Sequence, residues 1–250
     1  MREVSVASAS CGSSMLHFPE LARLATPDGL NAGPTCPLQA LDSLKGRDMD
    51  DRVGGTAEIL AVESLSENWY PLRKYRLAYR RRDGTCQTLE REVYCNGPGA
   101  AVLPLDPRRS VVLLTRQFRL PAQVNGDAPQ LIEACAGNVE PGDDPAETVR
   151  KEAEQETGHR LRNLRKVFEL YMSPGASAEK LHLFLAEYDP SERIGPGGGL
   201  REEGEEIEIL ELPLARAWAM MEAGQIMDAK TVLLLQHLLL AERQAAAQVS

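Results

Sequence analysis

Residues 137–159 read GNVEPGDDPAETVRKEAEQETGH, a glycine loop running into a helix with acidic residues at one-turn spacing. Asp144 is a good N-cap, Pro145 suits the first helical position, where no amide hydrogen is needed, and Glu147 at the third position closes a capping box. After Ala146, the residues Val149, Ala153 and Thr157 recur at helical spacing and predict a narrow buried stripe of small side chains; Gly158 supplies the stop. Off that stripe, Glu152 and Glu156 emerge on one face, a single turn apart. Two carboxylates at that spacing repel each other unless a divalent cation sits between their oxygens, and hard oxygen ligands select magnesium or manganese over zinc. The plainer reading of the same pair is a solvated acidic surface helix.

The whole string resembles the Nudix box, the signature of hydrolases acting on nucleoside diphosphates linked to another moiety. Gly137, Glu152, Ala153, Glu156 and Gly158 match its pattern. Asp143 stands in the place of the first glutamate, Lys151 in that of the arginine, Gln155 in that of the first paired glutamate, and His159 holds the final apolar place. Arg150 points to a different side of the helix, and lysine lacks the bidentate fork of arginine. Gln155 offers an amide oxygen but no charge, so the expectation is retained hydrolysis with a weakened or missing third metal.

The flanks extend the resemblance from about residue 55 to the end of the last helix. RQFR at 116–119, VNG at 124–126, residues 131–137, FELYMSPG at 168–175 and the glycines 197–199 are similar to the GDP-mannose pyrophosphatase branch of the ADP-ribose pyrophosphatase-like Nudix enzymes. That resemblance implies a Mg2+ site, with Mn2+ a possible substitute, held by the Ala136 carbonyl, Glu152, Glu156 and Glu205; the three glutamates would be the catalytic set. Glu205 lies in REEGEE at 201–206, where Glu203 and Glu206 remain alternatives for activating water. Arg91, Glu92, Arg119, Glu179 and Lys230 match substrate-contacting positions, and Trp69 is open between stacking on a base and packing at a strand edge. A lysine that opens a helix, as Lys230 does, favours a nearby anion. Glu90 stands where the branch tends to carry a basic residue. The implied reaction is hydrolysis of a nucleoside diphosphate sugar, GDP-mannose first and ADP-ribose second; the alternative is a non-catalytic nucleotide-sugar sensor. The branch also implies a homodimer paired through its amino-terminal sheet.

Composition sets the limits. The chain has 250 residues, 43% of them hydrophobic and 26% charged, enough for one substantial core and a small second domain. A formal charge of -9 argues against nucleic acid as a partner. The apolar run at 232–241 is interrupted by Gln236 and His237 and is too short to span a bilayer, so no membrane is expected. Five cysteines with no CxxC pair fit reduced thiols in a cytoplasm. Arg2 is followed by Glu3 and then by small residues, so no leader is expected.

Along the chain, residues 1–53 are rich in Ser, Gly, Pro and Asp without sustained periodicity and are expected to be disordered. Residues 54–98 form a small antiparallel β domain, with strands at 56–62, 72–80 and 85–94 and a two-residue hairpin at Asp83-Gly84. Residues 99–245 are where the resemblance implies a Nudix domain, and their pattern predicts strands at 101–105 and 111–115 joined across Asp106-Pro107, then 131–135, 167–171, 181–188 and 206–209, with helices at 214–223 and 230–244. The fold class is α/β, a mixed sheet between helices in a Nudix-type α/β/α sandwich.

Overall fold

The computed structural model describes residues 56–249, so the expectation for residues 1–53 lies outside the described residues. Three strands come first: β1 (Thr56–Glu67), β2 (Pro71–Arg80) and β3 (Cys86–Tyr94), in an antiparallel sheet of order β1-β2-β3. The turn between β2 and β3 is longer than the two-residue hairpin expected. The Arg81 N–H donates to Thr85 O at 2.8 Å, which leaves three residues in the loop, and of these Gly84 alone has positive φ, at +85°. A two-residue type I′ turn needs positive φ at both centres, so one glycine yields the three-residue form. Asp83 braces it by accepting from the Thr85 N–H at 2.9 Å.

The second sheet runs β10-β5-β4-β9-β8, with β6 on β5 and β7 on β4. Its strands are β4 (Gly99–Asp106), β5 (Val111–Phe118), β6 (Gln130–Glu133), β7 (Cys135–Asn138), β8 (Arg162–Tyr171), β9 (Lys180–Glu187) and β10 (Glu208–Pro213). It is mixed: β4 and β9 are parallel and the remaining pairs antiparallel. Helices lie on both faces, as the alternation of β4 shows. Ala101 and Leu103 join one core with Leu183, Leu214 and Ala217 of α3 (Leu214–Glu222), and Leu234, Leu235 and Leu238 of α4 (Ala229–Val249). Ala100 and Val102 join the other with Cys135, Phe184, and Val149 and Ala153 of the box helix. This is the expected α/β/α sandwich. No helix among the described residues is long and apolar enough to cross a membrane, and no disulfide joins Cys86, Cys95 and Cys135.

The strand expected at 131–135 is two strands. β6 pairs with β5 and β7 with β4, and the chain changes neighbour at Ala134. The Ala134 N–H that the sheet cannot satisfy there donates to the Thr231 hydroxyl of α4 at 2.6 Å, so the break carries no unpaired amide. The crossing brings Ala136 and Gly137 against the box helix.

Candidate active site

The box helix starts as its sequence dictates. In α2 (Pro145–Glu152), preceded by the short α1 (Leu120–Val124), the Asp144 carboxylate caps the Ala146 N–H at 2.9 Å with Pro145 in the first turn. The capping box is not closed: Glu147 turns to Arg150 at 3.5 Å. After Glu152 the helix widens into a π turn (Ala153–Thr157) and stops at Gly158, φ +73°. Such insertions concentrate at functional sites. Val149, Ala153 and Thr157 are buried completely, and Glu156 is 1% exposed.

Glu156 is charged chemistry placed where water does not reach. Its Oε2 is buried without a hydrogen-bond partner. Burial pushes its pKa up to about 8, with Glu152 and Glu205 adding repulsion, against a thiol contact from Cys135 and the Ala136 amide. Glu152 is raised to about 7, by burial first and by Glu205 second. Gly137 makes room for Glu152, since a Cβ there would stand 2.5 Å from its Cγ and closer still to its carboxyl. Glu205 lines the same cleft and repels this pair, but one of its oxygens is committed elsewhere: Oε2 accepts from the Leu200 N–H at 2.8 Å. Accordingly, among the described residues no group of three or more His, Cys, Asp or Glu side chains is assembled to hold a metal ion. The donor set nonetheless fits a hard cation: hard carboxylate oxygens, one of them unpartnered, whose mutual repulsion a divalent ion would relieve.

These residues share one cleft of about 670 Å³ with a cationic cluster. The Arg119 guanidinium, at the end of β5, donates to both oxygens of Glu133, from Nε at 2.7 Å and from Nη2 at 3.0 Å. Lys230, in the first turn of α4, donates to Glu133 Oε2 at 2.6 Å and to Asp228 at 2.9 Å. Glu133 is 2% exposed. Burial alone would raise its pKa, and the bond from Arg119 and the charge of Lys230 outweigh that and hold it low. Asp228 also caps the helix through the Thr231 N–H at 3.0 Å. Among the described residues, seven carboxyl groups and two cations line the cleft, so Arg119 and Lys230 are the side-chain cations it offers an anionic substrate.

Of the residues singled out in the sequence, the cleft gathers Arg119, Ala136, Glu152, Glu156, Glu179, Glu203, Glu205 and Lys230. It leaves out three of the substrate-binding candidates. Trp69 is 80% exposed, edge-on to Tyr70 at 6.4 Å, and Arg91 and Glu92 stand exposed on β3. Glu206 is exposed and does not line it, whereas Glu203 does. Glu90 is paired on its own sheet with Lys74 at 3.0 Å and Arg76 at 3.6 Å. Sequence reasoning missed Glu133, Asp228 and Tyr70. Glu133 carried a signal, a lone charge inside the apolar run LIEACA; Tyr70, whose hydroxyl accepts from Asn138 at 2.8 Å, carried none.

Residues 96–234, more than half of the chain, match the model of the NUDIX domain. The chain belongs to the Nudix family. Residues 56–94, the three-stranded sheet, match the GDP-mannose pyrophosphatase NudK N-terminal domain. The chain is 49% identical over 182 residues to the GDP-mannose pyrophosphatase of Cronobacter sakazakii, spanning 72% of this chain and 94% of that one. It is 46% identical over 181 residues to that of Pectobacterium atrosepticum, spanning 72% and 92%. Among solved structures, the crystal structure of an ADP compounds hydrolase superposes with a TM-score of 0.58 at 19% identity, over 77% of this chain and 96% of that one, a likeness of fold.

Proposed function

We propose that the cleft hydrolyses the pyrophosphate bond of a nucleoside diphosphate sugar, GDP-mannose first and ADP-ribose second, to a nucleoside monophosphate and a sugar phosphate. One observation carries the reading: Glu152, Glu156 and Glu205 share a cleft with the Glu133-bound cations Arg119 and Lys230. The names of the relatives, GDP-mannose pyrophosphatases at 46–49% identity, support the same substrate class.

Proteins of this family depend on a divalent metal; magnesium is our choice for this chain and manganese its substitute. The Ala136 carbonyl and the carboxylates of Glu152, Glu156 and Glu205 would hold it. A bound ion supplies neutralisation of the pyrophosphate and a lowered pKa for its water. The chain's own groups do the rest. Arg119 spends Nε and Nη2 on Glu133, which fixes the plane of the guanidinium and leaves Nη1 to donate to a phosphate oxygen. Lys230 adds a second positive charge from the first turn of α4. Glu203, which lines the cleft, is our candidate to orient the water and take its proton. Oxygen adds to phosphorus, the bridging P–O bond breaks, and no covalent enzyme intermediate forms. Half-buried Glu179 is assigned to sugar hydroxyls.

A homodimer belongs to the same proposal. Ile59, Leu60 and Leu65 of β1 are exposed, and Trp69, Arg91 and Glu92 lie outside the cleft of their own chain. Pairing through the small sheet covers the apolar residues and offers the other three to a partner's cleft.

Purified protein incubated with magnesium and a panel of nucleoside diphosphate sugars tests the reading. Release of GMP from GDP-mannose or AMP from ADP-ribose is expected. Tight binding with no monophosphate released from any of them would establish a sensor and sink the hydrolase.

A further inference from the structure

The carbonyl groups at the end of the box helix are taken up by a second segment of the chain. A helix end leaves its last carbonyls without intrahelical partners. Here the segment 194–199 lies across them: the Gly198 N–H donates to Glu156 O at 2.8 Å, the Gly199 N–H to Gln155 O at 3.2 Å, and the Ile194 N–H to Gly158 O at 2.8 Å. One residue beyond Gly199, the Leu200 N–H holds the Glu205 carboxylate at 2.8 Å. Two hydrogen bonds and three consecutive residues therefore join the backbone of Glu156 to the side chain of Glu205.

At two of its glycines, Gly197 and Gly199, this strap has no room for a side chain. Gly197 sits at φ +66°, and a Cβ there would lie 2.7 Å from Glu156 O and from the Thr157 carbonyl carbon, both backbone atoms that no rotamer change can move away. Gly199 sits at φ +78°, and a Cβ there would lie 2.5 Å from Glu205 Oε2 and 2.8 Å from Glu205 Cβ. One glycine fits against the helix and the other against the loop glutamate.

We infer that the glycine strap is a positioning device, in which Gly197 sets the spacing from helix to strap and Gly199 the spacing from strap to Glu205, so that the loop carboxylate is held in register with Glu152 and Glu156. This rests on the reading above that the three glutamates act together on a metal. A strap that only capped the helix would contribute stability and nothing else.

The test compares Gly197→Ala and Gly199→Ala with Gly84→Ala, whose glycine has φ +85° but open space around it, in the turn between β2 and β3. Backbone strain is matched; contact with the site is not. Expected for both strap variants is at least fivefold weaker Mn2+ binding by electron paramagnetic resonance and at least tenfold lower kcat, with KM for GDP-mannose within twofold. Gly84→Ala is expected to lose only thermal stability. Strap variants that match the control in Mn2+ affinity and kcat while losing the same Tm would overturn the proposal. Hydrogen exchange on the wild-type chain decides the matter if the variants do not fold: slowed amides at Gly198 and Gly199 are required, and exchange at the rate of free peptide refutes the strap. A wild type that binds Mn2+ without turnover would count against hydrolysis and leave the Mn2+ comparison to judge the strap.

Discussion

The guanidinium of Arg119 grips both carboxylate oxygens of Glu133, at 2.7 and 3.0 Å, and so ties the end of β5 to the end of β6 inside the cleft. Because Glu133 also holds Lys230, one buried carboxylate keeps two like charges side by side. Removing it leaves both cations poorly compensated. Glu133→Ala is expected to cost about 3 kcal/mol, within the range for breaking a buried pair, read by urea denaturation. Arg119→Lys keeps the charge but loses the fork, and should raise KM roughly tenfold while kcat falls less. An unchanged KM would show that Arg119 does not meet substrate.

Metal-free stability should depend on the box carboxylates with a definite sign. Glu156 has its pKa raised from 4.5 to about 8 in the folded chain, so folding takes up a proton between those values and stability declines as pH rises through them. In EDTA, Glu156→Gln should be more stable than wild type at pH 8 by on the order of 2 kcal/mol, with the gap closing towards pH 5. Saturating divalent ion should restore the wild type. Parallel pH profiles for the two proteins in EDTA would contradict the burial of an uncompensated carboxylate.

Gly137 is the space into which Glu152 fits. Gly137→Ala drives a methyl group into that carboxyl and should lower kcat about a hundredfold, as displacements near an ångström do, while circular dichroism stays that of wild type. Wild-type turnover in this variant would mean that Glu152 has freedom to move without consequence.

Asp144 offers a contrast, since its carboxylate caps the helix from the exposed surface. Asp144→Ala should cost about 1 kcal/mol and a few degrees of Tm with kcat retained. Loss of activity at full stability would place the residue in the chemistry instead.

The dimer has its own check. Ile59→Glu combined with Leu60→Glu puts charge on exposed positions of β1, so the chain should fold while light scattering moves from a dimer to a monomer mass. A wild type that is already monomeric would remove the dimer from the proposal.

Local features were legible in the sequence because their causes are local. Asp144, Pro145 and Gly158 fix the two ends of the box helix with groups a few residues away, and the two-sided burial of β4 is written in its continuous apolar run. What escaped depends on distant partners. The strand break at Ala134 is tolerable because Thr231 supplies an acceptor, and Glu133 is acceptable inside the sheet because Arg119 and Lys230 meet it. The π turn lengthens the helix beyond the α spacing that placed Glu152 and Glu156, and its carbonyls are taken by a glycine strap from 40 residues onward, Gly198 on Glu156. Arg91 and Glu92 came from resemblance alone and Trp69 from its aromatic ring, and one chain does not bring them to its cleft.

The central claim is that the buried carboxylate of Glu156 carries the hydrolysis. Wild type and Glu156→Gln, assayed side by side for GMP release from GDP-mannose in magnesium with circular dichroism to confirm the fold, test it most directly. Loss of at least a thousandfold in kcat with an unchanged spectrum is expected; wild-type turnover in the folded variant would contradict it.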